Sequence, residues 1–510
     1  MEITLNKKNL RLYYKQAEGA VTHEERSEII VPDSLPDVGR VIDSDGIALL
    51  RGKDCADGKI TVSGIVRANI AYEPEGGGSI RSLAAQIPFS VVILDAKAAY
   101  GAKVTANTRV TNIFTTLLNS RKLQITPEIF VSAEAYDHAD ISIPDDSDCD
   151  ACRSLESLIE TVELNPITDI RERGFSISDE CGISTAAPPI AALIHSSVNV
   201  QYDDYRVAGA KLIIKGAAAV RLVYVTADSG LLHSEDVSIP FSEVIDMADG
   251  EDNENKTFSV TPVPTGIYVQ EQGGDYAKSV SVEIPVTAQV IVRKKLTVSY
   301  VTDAYSTAVE TENLTETHRI VCLDSEQSLK DTVRETLHTV GVPASIVCAR
   351  VYPGEIISAD DGYAAAFRVC VTYCAEDGQT HTVCEKSQAL FAFPDRSQGG
   401  DAAVEAVFGD VYAAIVAGGI EARVPVELKI KIFSTRELNT VSGITVNEES
   451  VKSAADAPSL TIIKVGGGDT LWTLAKRYNS TRKLICEANG LRDSVSVTDG
   501  DVLIIAKRRV

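Results

Sequence analysis

The feature that most restricts how this chain can fold is a repeat within its own sequence. Sliding the 510 residues by 152 positions brings two segments into register without a gap: Pro36, Ile42, Ser44, Gly64 and Tyr72 fall on Pro188, Ile194, Ser196, Gly216 and Tyr224. Farther along, Ile87-Pro88-Phe89-Ser90 falls on Ile239-Pro240-Phe241-Ser242, and Val92-Ile93 on Val244-Ile245. A register shared over so long a stretch means that both segments build one kind of supersecondary unit. Within it Ile60, Val62, Gly64, Val66, Ala68, Ile70 and Tyr72 alternate with Thr61, Ser63, Arg67 and Asn69. A period of two marks a strand with one buried face. Glu-Pro-Glu-Gly-Gly-Gly at 73–78 and Ala-Asp-Ser-Gly at 227–230 supply turns, so each segment reads as a long hairpin closed by the Ile-Pro-Phe strand.

A more divergent third copy occupies 363–394, where Phe367, Val369, Val371 and Tyr373 alternate and Glu376-Asp377-Gly378 makes the turn. Ala389-Leu390-Phe391 stands there in the place of Ile-Pro-Phe, one residue out of register. Strand-like segments at 122–135, 280–292 and 422–433 trail the three hairpins. Two of them carry a central proline, Ile284-Pro285-Val286 and Val424-Pro425-Val426, which predicts an edge strand or a bulge. Three stripes read as core-facing helices: Leu155, Leu158, Ile159 and Val162 behind Ser154; Leu329, Val333, Leu337 and Val340 behind Ser328; and Val404, Val407, Phe408, Val411 and Ile415. The fold class expected is mainly β and multidomain, with three repeated β-rich domains at 1–150, 151–300 and 301–446 and few helices.

This order of elements resembles the SPOCS repeat of endospore-forming bacteria, over roughly residues 20–440 in three copies. The resemblance implies a protein-interaction scaffold of the spore coat and brings no catalytic residues.

Residues 447–459 are small and polar, and read as a linker. Beyond it, at 460–507, come a strand ending at Val465, a helical stripe of Leu471, Leu474, Ala475 and Tyr478, a second short helix starting near Thr481, and a closing strand at 501–506. The second helix buries Leu484, Ile485 and Ala488 and stops at Asn489-Gly490, a pair suited to the left-handed cap. Asp469 is the expected N-cap of the first helix. Trp472, the single tryptophan, sits on the shoulder of the core stripe, part core and part exposed.

Strand, helix, helix, strand, with Gly-Asp-Thr-Leu-Trp opening one helix and Ala-Asn-Gly-Leu closing the other, is similar to the LysM module, a small α+β domain. The resemblance implies a shallow groove for N-acetylated glycans such as peptidoglycan. Carried over by position, its glycan- or partner-binding residues are Gly468, Asp469, Thr470, Leu471 and Trp472 on one loop and Asn489, Gly490 and Leu491 on the other. Free backbone donors at a helix start suit an acetamido oxygen, and Leu471 and Leu491 suit its methyl group. The loop at 492–500 departs from the pattern by lacking a proline ahead of its glycine, and the last strand ends Ile-Ile-Ala.

A formal charge of −23 repels phosphate backbones and anionic lipid, which argues against nucleic-acid or membrane-surface partners. Residues 1–15 lack the apolar core of a signal peptide and no run reaches 18 apolar residues, so the expected place is the compartment of synthesis, with its cysteines as thiols. None of the seven histidines has a second ligand at metal spacing, and Cys149 and Cys152 lack a second cysteine pair. The expectation is therefore a protein without catalysis, metal or cofactor. The combined resemblance implies a mother-cell assembly adaptor at the forespore surface whose LysM-like tail docks to a basal coat ATPase. The alternative is a peptidoglycan-binding protein that uses the same groove.

Overall fold

The computed structural model describes residues 2–3, 5–146, 154–247, 255–273, 277–359, 361–393, 401–451, 460–492 and 497–506. The first unit contains β1 (Glu2–Ile3), β2 (Asn6–Glu24), β3 (Ser27–Ile30), β4 (Val38–Ala56), β5 (Lys59–Pro74), β6 (Arg81–Leu94), β7 (Lys103–Asn119) and β8 (Lys122–Asp146). The second holds β9 (Leu155–Leu164), β10 (Ile167–Gly182), β11 (Ile190–Ala208), β12 (Lys211–Thr226), β13 (Leu232–Asp246), β14 (Lys256–Pro264), β15 (Tyr268–Gln272), β16 (Ser279–Lys294) and β17 (Leu296–Ser306). The third holds β18 (Val309–Leu337), β19 (Pro343–Ala359), β20 (Gly362–Ala375), β21 (Thr380–Ala392), β22 (Asp401–Phe408), β23 (Tyr412–Val416) and β24 (Gly419–Val451).

The sequence repeat is a meander. β4-β5-β6, β11-β12-β13 and β19-β20-β21 are separate three-stranded antiparallel sheets. The bounds of β4 and β11 differ by 152 at both ends (38 to 190, 56 to 208), and so do those of β5 and β12 (59 to 211, 74 to 226). Even the bulges repeat: register shifts at Val38/Arg40, Val41/Asp43 and Leu50/Gly52 recur at Ile190/Ala192, Leu193/His195 and Tyr202/Asp204. In the third unit the first two recur at Pro343/Ser345 and Ile346/Cys348. Bulges sharpen twist, and their recurrence means that all three meanders coil alike. At the end of each middle strand a buried tyrosine reaches back to the strand entry: the Tyr72 hydroxyl donates to Pro36 O (3.1 Å), Tyr224 to Pro188 O (3.0 Å) and Tyr373 to Val340 O (2.9 Å).

Against each meander lies a second layer whose central strand is the trailing one, and the layers of the first two units join into one sheet where β10 meets β2, Ile167 opposite Tyr13. β8 pairs with β2, β3 and β7; β16 with β10, β14 and β15; β24 with β18, β22 and β23. The apolar faces of the two layers enclose the core of each unit, as in a β-sandwich.

Pro285 and Pro425 thus stand in central strands without a register shift, where the sequence predicts an edge or a bulge. The neighbouring strand is broken opposite each: β14 ends at Pro264 and β15 resumes at Tyr268, and β22 ends at Phe408 while β23 resumes at Tyr412. No ladder donor is therefore missing where proline has no N–H. Gly266 and Gly409 fill the breaks, and a Cβ on either would stand 3.2 or 3.3 Å from the proline ring.

The three helix stripes are also corrected, since 155–162 lies in β9, 329–337 in β18, and 404–415 in β22, β23 and the break between them. Leu329, Val333 and Leu337 are spaced by four, which keeps one face of a helix but equally one face of a strand. Register also moves the third hairpin: Ala389 lies opposite Ala365 as Phe89 lies opposite Gly64, so Phe391 is two residues beyond the Phe89 position and keeps its face. β24 runs through Val451 into the stretch read as linker, while 452–459 lie outside the described residues. Cys370 and Cys384, cross-strand neighbours on β20 and β21, form a disulfide, against the thiols expected. Cys149 and Cys152 lie outside the described residues.

The three meanders close a ring. Ser82 Oγ on β6 donates to Ile194 O on β11, and its counterpart Ser234 Oγ on β13 donates to Val347 O on β19. Arg350 on β19 clasps Asp43 on β4 with two hydrogen bonds of 2.8 and 2.5 Å, joining the third unit to the first. Ile42, Ile194 and Val347, equivalent positions of the three units, share one buried cluster. Away from the ring, the first and last strands of each unit continue as two-stranded ribbons: 6–15 of β2 with 136–146 of β8, β9 with β17, and 309–323 of β18 with 433–451 of β24. The ribbons pack together through Leu12, Ile143, Leu164, Val298, Ile320 and Leu438.

Replacing Tyr224 by Phe removes one buried hydrogen bond and leaves the rest of the ring in place. The expected cost is about 1 kcal/mol, read as a lower urea midpoint, with the exposed Tyr268→Phe within about 0.5 kcal/mol of wild type. Equal midpoints for the two variants would show the tyrosine link to be dispensable.

Candidate functional site: the C-terminal module and its seat

The last described segment folds as expected: β25 (Leu460–Lys464), α1 (Leu471–Arg477), α2 (Arg482–Asn489) and β26 (Val502–Ala506), with β25 and β26 antiparallel. Leu474, Ala475, Ile485 and Ile505 are fully buried between the helices and the sheet.

The cap of α1 is Thr470, not Asp469. The Thr470 hydroxyl accepts from Thr473 N (3.1 Å), and Thr473 Oγ1 in return accepts from Thr470 N (2.8 Å), a reciprocal capping box. Asp469 is engaged one step earlier. Its carboxylate accepts from Gly466 N (3.1 Å) and from Arg477 (2.8 Å), which holds its pKa below the usual carboxylate value. The turn 466–469 is thereby fixed, and Gly468 takes a left-handed φ of 87° that a side chain would strain.

On the other loop Asn489 is a stitch. Its amide donates to Ile485 O (2.8 Å) and Ile504 O (2.7 Å) and accepts from Ile504 N (2.8 Å), so it pairs with β26 like a strand residue. Gly490 closes α2 at φ 66°. Of the eight residues expected to bind a glycan or partner, Gly468, Thr470 and Gly490 are exposed and Asp469, Asn489 and Leu491 are half-buried. Leu471 and Trp472 are buried. Leu471 belongs to the module core and Leu491 packs against that core. Residues 493–496 of the variant loop lie outside the described residues.

Trp472 is covered by the second ribbon. Its indole stands edge-on to Tyr305, 4.9 Å between ring centroids, and its Nε1 donates to Asp303 Oδ2 (2.8 Å). The Lys476 ammonium grips both oxygens of the same carboxylate (2.6 and 2.7 Å), and Asn313 of β18 donates to Oδ1 (2.7 Å). Tyr305 in turn donates its hydroxyl to Ser480 O (2.7 Å), and burial lifts its pKa well above the usual phenol value. Leu158 completes the seat. Sequence reading missed Asp303, Tyr305 and Lys476 in this role: Trp472 and Lys476 lie 169 and 173 positions beyond Asp303, and no local pattern links them.

These features define a class: a ring of β-sandwich units bearing a small βααβ module on one of its ribbons. Comparison with known families names the parts. Residues 37–118 and 189–271 match the SipL, SPOCS domain, and residues 463–506 match the LysM domain. No curated protein and no solved structure matches the chain. The two SPOCS segments span β4–β7 and β11–β15, and their starts differ by the same 152 residues (37 to 189). Both matched domains are of a binding rather than a catalytic type. Among the described residues no helix is long and apolar enough to cross a membrane, and no three His, Cys, Asp or Glu side chains are placed to hold a metal ion.

Because Trp472 is the single tryptophan, its fluorescence reports the seat directly. Asp303→Ala removes the acceptor of both Trp472 and Lys476, hydrogen bonds to a charged group worth about 1.5–3 kcal/mol each. The expected result is a red-shifted emission and stronger iodide quenching in the full chain. An unchanged spectrum would mean that Tyr305, with its bond to Ser480, and Leu158 hold the module without the carboxylate.

Proposed function

We propose that this protein is a non-catalytic adaptor of spore-envelope assembly, in which the ring is a rigid protein-interaction scaffold and the LysM module is its docking head. The observation that carries the reading is the orientation of that head. Trp472, Lys476 and Ser480 are turned into the seat, while Gly468, Thr470 and Gly490 of the two loops remain exposed. A module that had only to fold would not need its aromatic shoulder fixed to a neighbour with one face left free. The third meander, outside the matched segments, is read here as a diverged third copy of the same domain, supported by its shared bulges and tyrosine link.

The partner proposed for the head is a basal spore-coat ATPase at the forespore surface, in the mother cell. A second reading has a specific observation in its favour. Trp472, the natural anchor for a protein partner, is already occupied, whereas the exposed loop backbones suit an N-acetylglucosamine glycan of cortex or wall peptidoglycan.

Calorimetric titration of the full chain with N-acetylglucosamine oligomers, beside co-sedimentation with the purified coat ATPase, separates the two. Retention of the ATPase by the full chain, its loss on truncation after residue 451, and weak glycan heat support the adaptor reading. Saturable glycan binding with no ATPase retained reverses the order.

A further inference from the structure

The ring is locked at its centre by charges. The first two bulges of the three meanders place Asp43, His195 and Cys348 at equivalent positions (43 + 152 = 195; 195 + 153 = 348). Around them Arg350 makes its two bonds to Asp43, and Tyr352 donates its hydroxyl to Asp45 (2.5 Å), which also accepts from Gly46 N (2.8 Å). His195 enters this cluster from the second unit. Its side chain is 6% exposed and its Nδ1 stands 3.6 Å from Asp45 Oδ2. Neither of its ring nitrogens has a hydrogen-bond partner among the described residues.

We propose that His195 is a pH-sensitive latch: the seam between the second unit and its two neighbours is held with a neutral imidazole and loosens when mild acid protonates that ring.

An imidazolium carries two N–H donors and, when buried, needs an acceptor for each. The nearest carboxylate oxygen is beyond hydrogen-bond length, and its partner oxygen already takes Tyr352 and Gly46. The charged groups acting on the ring are Asp43 and Asp45 on β4, Arg350 on β19 and Arg221 on β12; Tyr352 and Cys348 on β19 belong to the same cluster through Asp45 and Asp43. Burial, the largest influence, lowers the pKa of His195; Asp45 and Asp43 oppose this, and the guanidiniums of Arg350 and Arg221 add to it. A histidine whose folded pKa lies below the ordinary 6.5 contributes stability that is complete above 6.5 and is lost as pH falls below it. Asp45, held below the ordinary carboxylate value of 3.8 by Arg350 and by the hydrogen bonds from Tyr352 and Gly46 against its own burial, gives up its contribution only below that value. The interval between the two belongs to His195. Had the two carboxylates outweighed burial, its pKa would stand above 6.5 and acid would tighten the seam.

Hydrogen exchange of the full chain, measured by mass spectrometry at pH 7.5 and 5.5 and normalised to intrinsic rates, tests this on peptides covering β4, β11 and β19. The expected result is a loss of protection below pH 6.5, no steeper than tenfold per pH unit because one proton is involved, and its absence in His195→Gln. Equal or greater protection of the wild type at pH 5.5 overturns the proposal without any variant. The same loss in His195→Gln also overturns it, and His195→Asn serves if the glutamine variant does not fold.

Discussion

The pairing on which the molecule depends is that of each unit's first strand with its last. β2 with β8, β10 with β16 and β18 with β24 run antiparallel for the length of the sandwich. The meander between them is then confined to one side and can only stack on the sheet so formed. The pairing does not stop at the sandwich: past a bulge at Lys15/Ala17 or Leu323/Ser325, or past the interruption at Asn165-Pro166 in the second unit, the same strands continue as ribbons. Ribbons alone would expose most of their apolar side chains, and three packed together bury them. The seat of the LysM module is the end of one such ribbon. A single choice of partner strand thus fixes core, stalk and docking head.

Between units the chain uses another kind of contact. Ser82, Ser234, Arg221 and Arg40 each donate to a backbone carbonyl of the neighbouring meander. Deeper, the Gln289 amide exchanges two hydrogen bonds with the backbone of Ala106 (2.9 and 2.8 Å). Side chains thus cover meander edges that would otherwise invite another chain to pair, and the three meanders stay separate sheets while the layers behind the first two join at Tyr13 and Ile167.

Much of the fold was legible because burial alternated cleanly. Ile60 to Tyr72 were read as one buried face and are all inside, and the trailing strands at 122–135, 280–292 and 422–433 became the central strands β8, β16 and β24. The failures have one physical source. Apolar residues four apart satisfy a helix and a strand alike, and only the partner strand decides between them, one far along the chain where β17 pairs with β9 and β24 with β18. The same distance hid the ring and the seat. In the LysM module the signals were local, and both helices were placed correctly. What was not legible there is the surroundings: nothing in the sequence shows that the module core and Tyr305 take Leu471 and Trp472.

The wide separation of first and last strands also sets an order of events during synthesis. About a hundred residues separate the end of β2 from the start of β8, and at 5–20 residues per second that strand waits roughly 5 to 20 seconds for its partner to leave the ribosome. Each meander, with short turns, has time to form alone and to offer its apolar face to a sheet not yet made. The unit whose ribbon receives the LysM module is complete long before that module emerges. Folding therefore proceeds from a finished berth to the part that moors there, and a ribosome that stalls late leaves an assembled ring with an empty berth rather than a loose head.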